Sequence, residues 1–247
     1  MKNILHMGKA ELLMLTAEDV PRSLTAEEVL HMATALGAFW RYDYAAAELG
    51  RAGMHALLKS GLHSDGFFVS KILLAPESIR TILSHQIVMR LRDAQIPTPE
   101  YVAGVPDGAT ALGTQIANIV GAREARMEKT DGRIVLTTDL PDGATLLLVE
   151  DFCTRGTGFV EAVMQVRSKH PSVAFVPYDP VVINRGGLKE IVVEGIGAFT
   201  VLPVVDYRIR DWPQEHCPLC ARGSTAIKPK LTDENWRLLI SSQLPST

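Results

Sequence analysis

The chain is poor in the features that mark specialised protein classes. Its 247 residues hold three cysteines, an odd number and too few for the disulfide framework of a small secreted domain. Aromatic residues make up 6%. Neither sign of charge dominates: 25 Lys and Arg face 28 Asp and Glu, for a net charge of -3. That balance gives no global basic field and argues against a nucleic-acid partner. No uninterrupted apolar run is long enough to cross a bilayer, so no membrane partner is expected. The opening MKNILHMGKAELLM lacks a long apolar core and a small-residue cleavage site, so it does not read as a signal peptide, and a cytoplasmic location is the default expectation. Internal repeats and low-complexity tracts are missing as well.

What remains is ordinary globular material, 47% hydrophobic and 21% charged. Residues 1 to about 58 read as helical. Thr25 is an N-cap with Glu28 three positions on, and Val29, Met32 and Leu36 follow at helical spacing. Ala45 to Leu58 continues that character until Lys59-Ser-Gly breaks it, and Phe67-Phe-Val69 begins an extended stretch. A helix is expected from Pro76 to about Ala94. The chain then alternates. Strands are expected at Tyr101–Val105, Ala144–Val149, Val173–Val176 and Val181–Ile183, with helices at Ala109–Val120 and Thr157–Ser168 between them. Alternating units with charge-free strands indicate an α/β fold around a parallel sheet buried on both faces. The tail after Asp211 reads as irregular, with a last helix near Thr232–Ser242.

The most informative segment runs Leu146-Leu-Leu-Val-Glu-Asp-Phe-Cys-Thr-Arg-Gly-Thr-Gly158. An apolar strand delivers Glu150 and Asp151 to its carboxyl end, where functional loops of parallel sheets lie. A loop of small residues then opens a helix. Gly156 and Gly158 let backbone N–H groups approach a ligand, and a helix N-terminus favours an anion. Thr154 and Thr157 add hydroxyl donors, and Arg155 adds charge. Two adjacent carboxylates can accept hydrogen bonds from a pair of ribose hydroxyls and stabilise positive charge at an anomeric carbon. Cys153 reads as a small filler, because no base accompanies it.

This segment resembles the phosphoribosyl pyrophosphate (PRPP) signature of type I phosphoribosyltransferases. The likeness spans about residues 40–225 and is strongest to the orotate phosphoribosyltransferases. Leu58-Lys-Ser-Gly-Leu-His-Ser-Asp-Gly-Phe-Phe68 is similar to that family's N-terminal motif, which implies Lys59 toward the pyrophosphate or acceptor and Phe67 or Phe68 against the flat acceptor ring. Ala103-Gly-Val-Pro-Asp-Gly-Ala-Thr-Ala-Leu112 resembles the pyrophosphate loop, with backbone donors around Asp107, Gly108 and Ala109. Arg126-Met-Glu-Lys-Thr-Asp-Gly132 resembles the mobile catalytic loop, with Met127 where a lysine is usual, one residue fewer and no histidine. Arg126 and Lys129 would there neutralise the departing pyrophosphate. Pro180-Val-Val-Ile-Asn-Arg-Gly-Gly187 looks like the late strand whose arginine, here Arg185, reads the acceptor carboxylate as a bidentate fork. Cys217-Pro-Leu-Cys220 resembles the tail of a subgroup. It is either a pair of reduced thiols or part of a metal site with His216 as a candidate third ligand.

The resemblance implies a mostly parallel central sheet flanked by helices, a small hood and an N-terminal helical segment. It divides the chain into 1–58, 59–205 and 206–247. It implies transfer of 5-phosphoribosyl from PRPP to orotate, with Glu150, Asp151 and Lys129 at the reacting centre, Mg2+ bridging substrate oxygens, and a homodimer. The altered 126–132 loop motivates an alternative in which another carboxylated heteroaromatic is the acceptor. A PRPP-sensing regulator is the non-enzyme alternative.

Overall fold

The computed structural model describes residues 2–245. The chain divides into two compact units. One takes the chain up to Ala35 together with Ser70–Arg208, and the other takes Leu36–Val69 and the chain from Ile209 onward. The segment 1–58 is therefore shared between them.

In the first unit the charge-free run becomes the Thr145–Cys153 strand. Leu146, Leu147, Leu148 and Val149 are all buried, as a strand covered on both faces requires. It is the middle of a seven-stranded sheet. Tyr101–Gly104 pairs on one side, with Gly104 opposite Val149, and Arg123–Glu124 lies beyond it. Tyr178–Asn184 pairs on the other side, with Val181 opposite Glu150, followed by Gly197–Asp206 and Glu190–Val193. The short Ala174–Phe175 strand also pairs with Thr145–Cys153. Every pairing is parallel except that of Glu190–Val193 with Gly197–Asp206.

Helix Thr157–Lys169 buries Phe159, Ala162, Val163 and Val166, a stripe at three- and four-residue intervals. Phe159 meets Phe199 of the sheet edge to face, with ring centroids 5.0 Å apart. Packing at the start of this helix fixes the loop that precedes it. Helices Glu77–Asp93 and Thr110–Val120 match their expected positions within two residues.

The second unit joins two distant stretches of chain. Phe39–Arg41 pairs antiparallel with Gly66–Phe68. A four-stranded sheet runs Asp211–Trp212, His63–Ser64, Met54–Leu57, Thr225–Ile227. Arg210 Nε donates to Asp65 Oδ2 at 2.9 Å. Helix Asp233–Ser241 starts on Thr232, whose hydroxyl accepts from Asn235 N at 3.0 Å.

Two expectations are corrected, and one strand was not foreseen. The N-terminal stretch is not continuously helical: only Tyr44–Glu48 is helical between 39 and 57, and Met54–Leu57 is a strand. Its sequence has helical composition, but pairing with Thr225–Ile227 and His63–Ser64 overrides local propensity. The stretch 126–132 is not a free loop. Met127–Thr130 and Arg133–Leu136 form a hairpin, closed by Asp131 and Gly132, both at positive φ. Met127 is buried in the core, and Glu161 and Gln165 of the following helix accept from Ile134 N and Leu136 N. The ten-residue strand Gly197–Asp206 had no counterpart in the expected elements.

Phe159→Ala removes the main anchor of the Thr157–Lys169 helix. It is expected to destabilise the protein by about 3–5 kcal/mol, read as a lower urea midpoint. A surface control such as Lys189→Ala should leave that midpoint unchanged.

Candidate active site

The parallel sheet places three connections at the carboxyl ends of neighbouring strands. The middle strand brings Glu150 and Asp151. Successive strand residues point to opposite faces, so the two acids enter different surroundings.

Asp151 is half-buried. Its Oδ1 accepts from Phe152 N at 2.8 Å. Its Oδ2 faces the loop after Tyr101–Gly104: a Cβ built on Gly108 would sit 1.8 Å from that oxygen. Only glycine allows this approach. Within the same loop Asp107 is exposed, Gly108 is half-buried and Ala109 is buried. The N–H of Ala109 donates to Val105 O at 3.1 Å, so this donor of the expected set is engaged internally. Ser70 belongs to the same neighbourhood, with its hydroxyl 3.0 Å from the position of that hypothetical Cβ. Sequence reasoning missed it, since a serine at the start of a short helix carries no distinguishing signal.

Glu150 faces inward. It lies with Asp179 and Cys153, and one ligand-type atom from each falls within 4.8 Å of the others. Burial, and then the Asp151 charge, raise the Glu150 carboxyl to about 8. Burial and Glu150 likewise hold Asp179 well above the usual carboxylate range. Two adjacent buried carboxyls cannot both ionise cheaply, so each holds its proton more tightly than a free carboxyl does. Burial and Glu150 also push the Cys153 thiol up, which makes it inert as a nucleophile. Asp179 too was missed. The signal was available: it is the one charged residue in the strand Tyr-Asp-Pro-Val-Val-Ile-Asn.

The cradle follows Cys153. Thr154 is half-buried, Arg155 is exposed, and Gly156 precedes the Thr157–Lys169 helix at φ +66°. Thr157 and Gly158 form the first turn, whose backbone donors have no intrahelical partner. The next connection, after Tyr178–Asn184, closes on this loop. Arg185 N donates to Cys153 O at 2.8 Å. A Cβ on Gly186 would overlap Thr154 O at 1.8 Å. Asn184 holds the turn, accepting from Gly187 N at 3.0 Å and donating to Leu188 O at 2.8 Å. Arg185 thus starts from a backbone hydrogen-bonded to the cradle.

The remaining expected residues belong to other elements. Arg126 and Lys129 are exposed on the hairpin, and Arg126 Nε is 3.4 Å from Glu124. Lys59, Phe67 and Phe68 belong to the second unit. Lys59 is exposed on the turn between Met54–Leu57 and His63–Ser64. Phe68 is buried and stacked on Phe39 with centroids 4.1 Å apart, so its ring face belongs to the core. Phe67 is half-buried, with Lys230 Nζ 5.8 Å from its ring centre. Cys217 and Cys220 gather with His55 and His63, whereas His216 is exposed.

No family model matches. The orotate phosphoribosyltransferase of Chlorobaculum parvum is 28% identical over 172 residues, which span 68% of this chain and 83% of that protein. That of Carboxydothermus hydrogenoformans is 29% identical over 178 residues, 71% of this chain and 88% of that protein. Among solved structures, orotate phosphoribosyltransferase from Aeropyrum pernix aligns over 72% of this chain and 93% of its own, with a TM-score of 0.52 at 18% identity. The last of these speaks to the fold alone.

Protonated buried acids carry a stability consequence. Between the ordinary carboxylate range and about 8, folded Glu150 keeps a proton that the unfolded chain releases. Stability therefore falls as pH rises through that window. Glu150→Gln cannot ionise. Its urea midpoint should depend less on pH and exceed that of the parent at the alkaline end. A variant as steep as the parent would refute the protonated assignment.

Proposed function

We propose that this chain, a type I phosphoribosyltransferase most like the orotate enzymes, transfers 5-phosphoribosyl from PRPP to a ring nitrogen of orotate, giving orotidine 5'-phosphate and pyrophosphate. The observation that carries this function is the strand tip. Asp151 lies against Gly108 on one side of it, and the cradle opening the Thr157–Lys169 helix is bound to the Arg185 turn on the other.

Each part has a task that its chemistry suits. The first-turn N–H groups of the helix, with the Thr154 and Thr157 hydroxyls, hold the 5-phosphate. Arg155 adds charge at the rim. The Asp151 carboxylate accepts from a ribose hydroxyl and opposes the positive charge that grows at C1 as the bond to pyrophosphate lengthens. Glu150 is buried and protonated, which makes it a support for the strand tip and a partner to the second hydroxyl only once ligand is bound. The Asp107–Gly108 backbone receives the leaving group. Arg185 pairs with the acceptor carboxylate and orients the ring nitrogen toward C1, so that catalysis is mostly positioning and charge stabilisation. Lys59 and Phe67 are proposed ligand contacts on their sequence motif.

The donor set suits Mg2+. Asp151, a half-buried carboxylate at the strand tip, fits a hard cation that keeps waters and uses substrate phosphates as ligands. When bound, the ion neutralises pyrophosphate charge. Arg126 and Lys129, exposed on the hairpin, are proposed to reach the pyrophosphate of a neighbouring copy, which makes the active form a homodimer.

With PRPP, Mg2+ and orotate, Asp151→Asn should lower kcat by about 100-fold or more while leaving the urea midpoint near that of the parent. Arg185→Lys should raise the KM for orotate by about 10-fold and leave the KM for PRPP little changed, because an ammonium cannot form the planar fork. Full activity in Asp151→Asn would overturn the site. Product formed only from a different carboxylated base would overturn the acceptor.

A further inference from the structure

The second unit brings together four side chains that the transfer reaction does not use. His55 lies on the Met54–Leu57 strand and His63 on the neighbouring His63–Ser64 strand. Cys217 caps the short Pro218–Ala221 helix, and Cys220 lies within it. One ligand atom from each of the four falls within 4.8 Å of all the others. Cys220 Sγ is 3.6 Å from His55 Nε2 and 3.3 Å from His63 Nδ1, and Cys217 Sγ is 3.7 Å from His55 Nε2. The two ring nitrogens are 2.8 Å apart.

We propose that His55, His63, Cys217 and Cys220 form a structural Zn2+ site. A tetrahedral zinc with Zn–S of about 2.3 Å and Zn–N of about 2.0–2.1 Å separates a sulfur from a nitrogen by roughly 3.6 Å. The sulfur–nitrogen distances here bracket that value. Four protein ligands complete the shell, so the site has no open position for substrate and its role is structural rather than catalytic. Two thiolates and two neutral imidazoles balance the charge of the ion, which suits a cluster where His55, His63 and Cys217 are all buried. The thiolate–imidazole mixture favours zinc over the hard cations that take oxygen ligands.

The surroundings orient His55 for this task. Ser224 Oγ donates to Gly53 O at 3.2 Å, so that hydroxyl is an acceptor toward His55 Nδ1, 2.9 Å away. With the ring proton on Nδ1 toward Ser224, the Nε2 lone pair is the one left for the cluster. Metal-binding histidines commonly have such an outer partner. The metal also has a mechanical reason. Both histidines come from one chain stretch of the unit and both cysteines from the other, with Cys217 and His55 lying 162 positions apart. A small unit built from two separate stretches buries little apolar surface, and a shared ion is a common way to fasten one.

The test uses the full chain, grown with zinc and purified without chelator or an immobilised-metal column. Elemental analysis should find about one zinc per chain. Replacement by Co2+ should give the intense visible bands of a tetrahedral ion and a near-ultraviolet thiolate-to-cobalt band. Cys220→Ser should lose most of the bound metal, whereas Cys153→Ser, outside the cluster, should keep it. His63→Cys should retain metal and shift the cobalt bands toward a three-thiolate pattern, which covers the case in which Cys220→Ser fails to fold. Substoichiometric zinc in the parent would overturn the proposal, as would cobalt spectra without a thiolate band. None of these readings depends on transferase activity, so they stand or fall apart from the proposed reaction.

Discussion

The first unit depends on backbone contact at the carboxyl end of its sheet. Gly108 lets Asp151 lie directly against the loop from the neighbouring strand, and Gly186 lets the next loop lie on Thr154 O. With side chains at either position the loops would have to move apart. These are constraints of volume, and they decide which atoms can share a ligand. Three connections from three strands converge on one spot only because two of their contacts involve no side chain from one partner.

That convergence separates two acids adjacent in sequence. Asp151 sits where water and ligand can reach it. Glu150 turns to the interior, where Asp179 and Cys153 share its space and desolvation keeps its proton on. The alternation of a strand produces the difference without any further device. In the reaction proposed above, Asp151 is the acid a ligand can reach, and Glu150 is the one the interior encloses.

Much of this was legible in the sequence, and the reasons are physical. Leu146 to Val149 could only be a doubly buried strand, and Gly156-Thr157-Gly158 after it could only be a tight helix entry. Both are local signals. What escaped was set by contacts distant in sequence. Met54–Leu57 has the composition of a helix and is a strand because Thr225–Ile227 pairs with it. Met127 reads as a lost lysine in a loop, but it is a core residue of a hairpin tied to Glu161 and Gln165. Phe67 and Phe68 look equivalent as a pair, and strand alternation gives one a partly open ring while the other stacks on Phe39.

The cysteine tail shows the same limit from the other side. Cys217 and Cys220 state half of a metal site in plain view, and the nearest histidine, His216, suggests the wrong continuation because it is exposed on the preceding turn. His55 and His63 give no sign of being ligands, since they are separated from each other by eight positions and from the cysteines by most of the chain. Only the sheet that sets Met54–Leu57 beside His63–Ser64 brings them together. Metal ligation needs four lone pairs at one point, and a sequence records their number but not their meeting place. A zinc there would fasten the elements that carry the Lys59 turn and Phe67, so its loss should loosen that unit before the Thr145–Cys153 strand tip loses its form. The two sites would then share a chain and differ in what unmakes them, one yielding to chelation and the other to the loss of a single carboxylate.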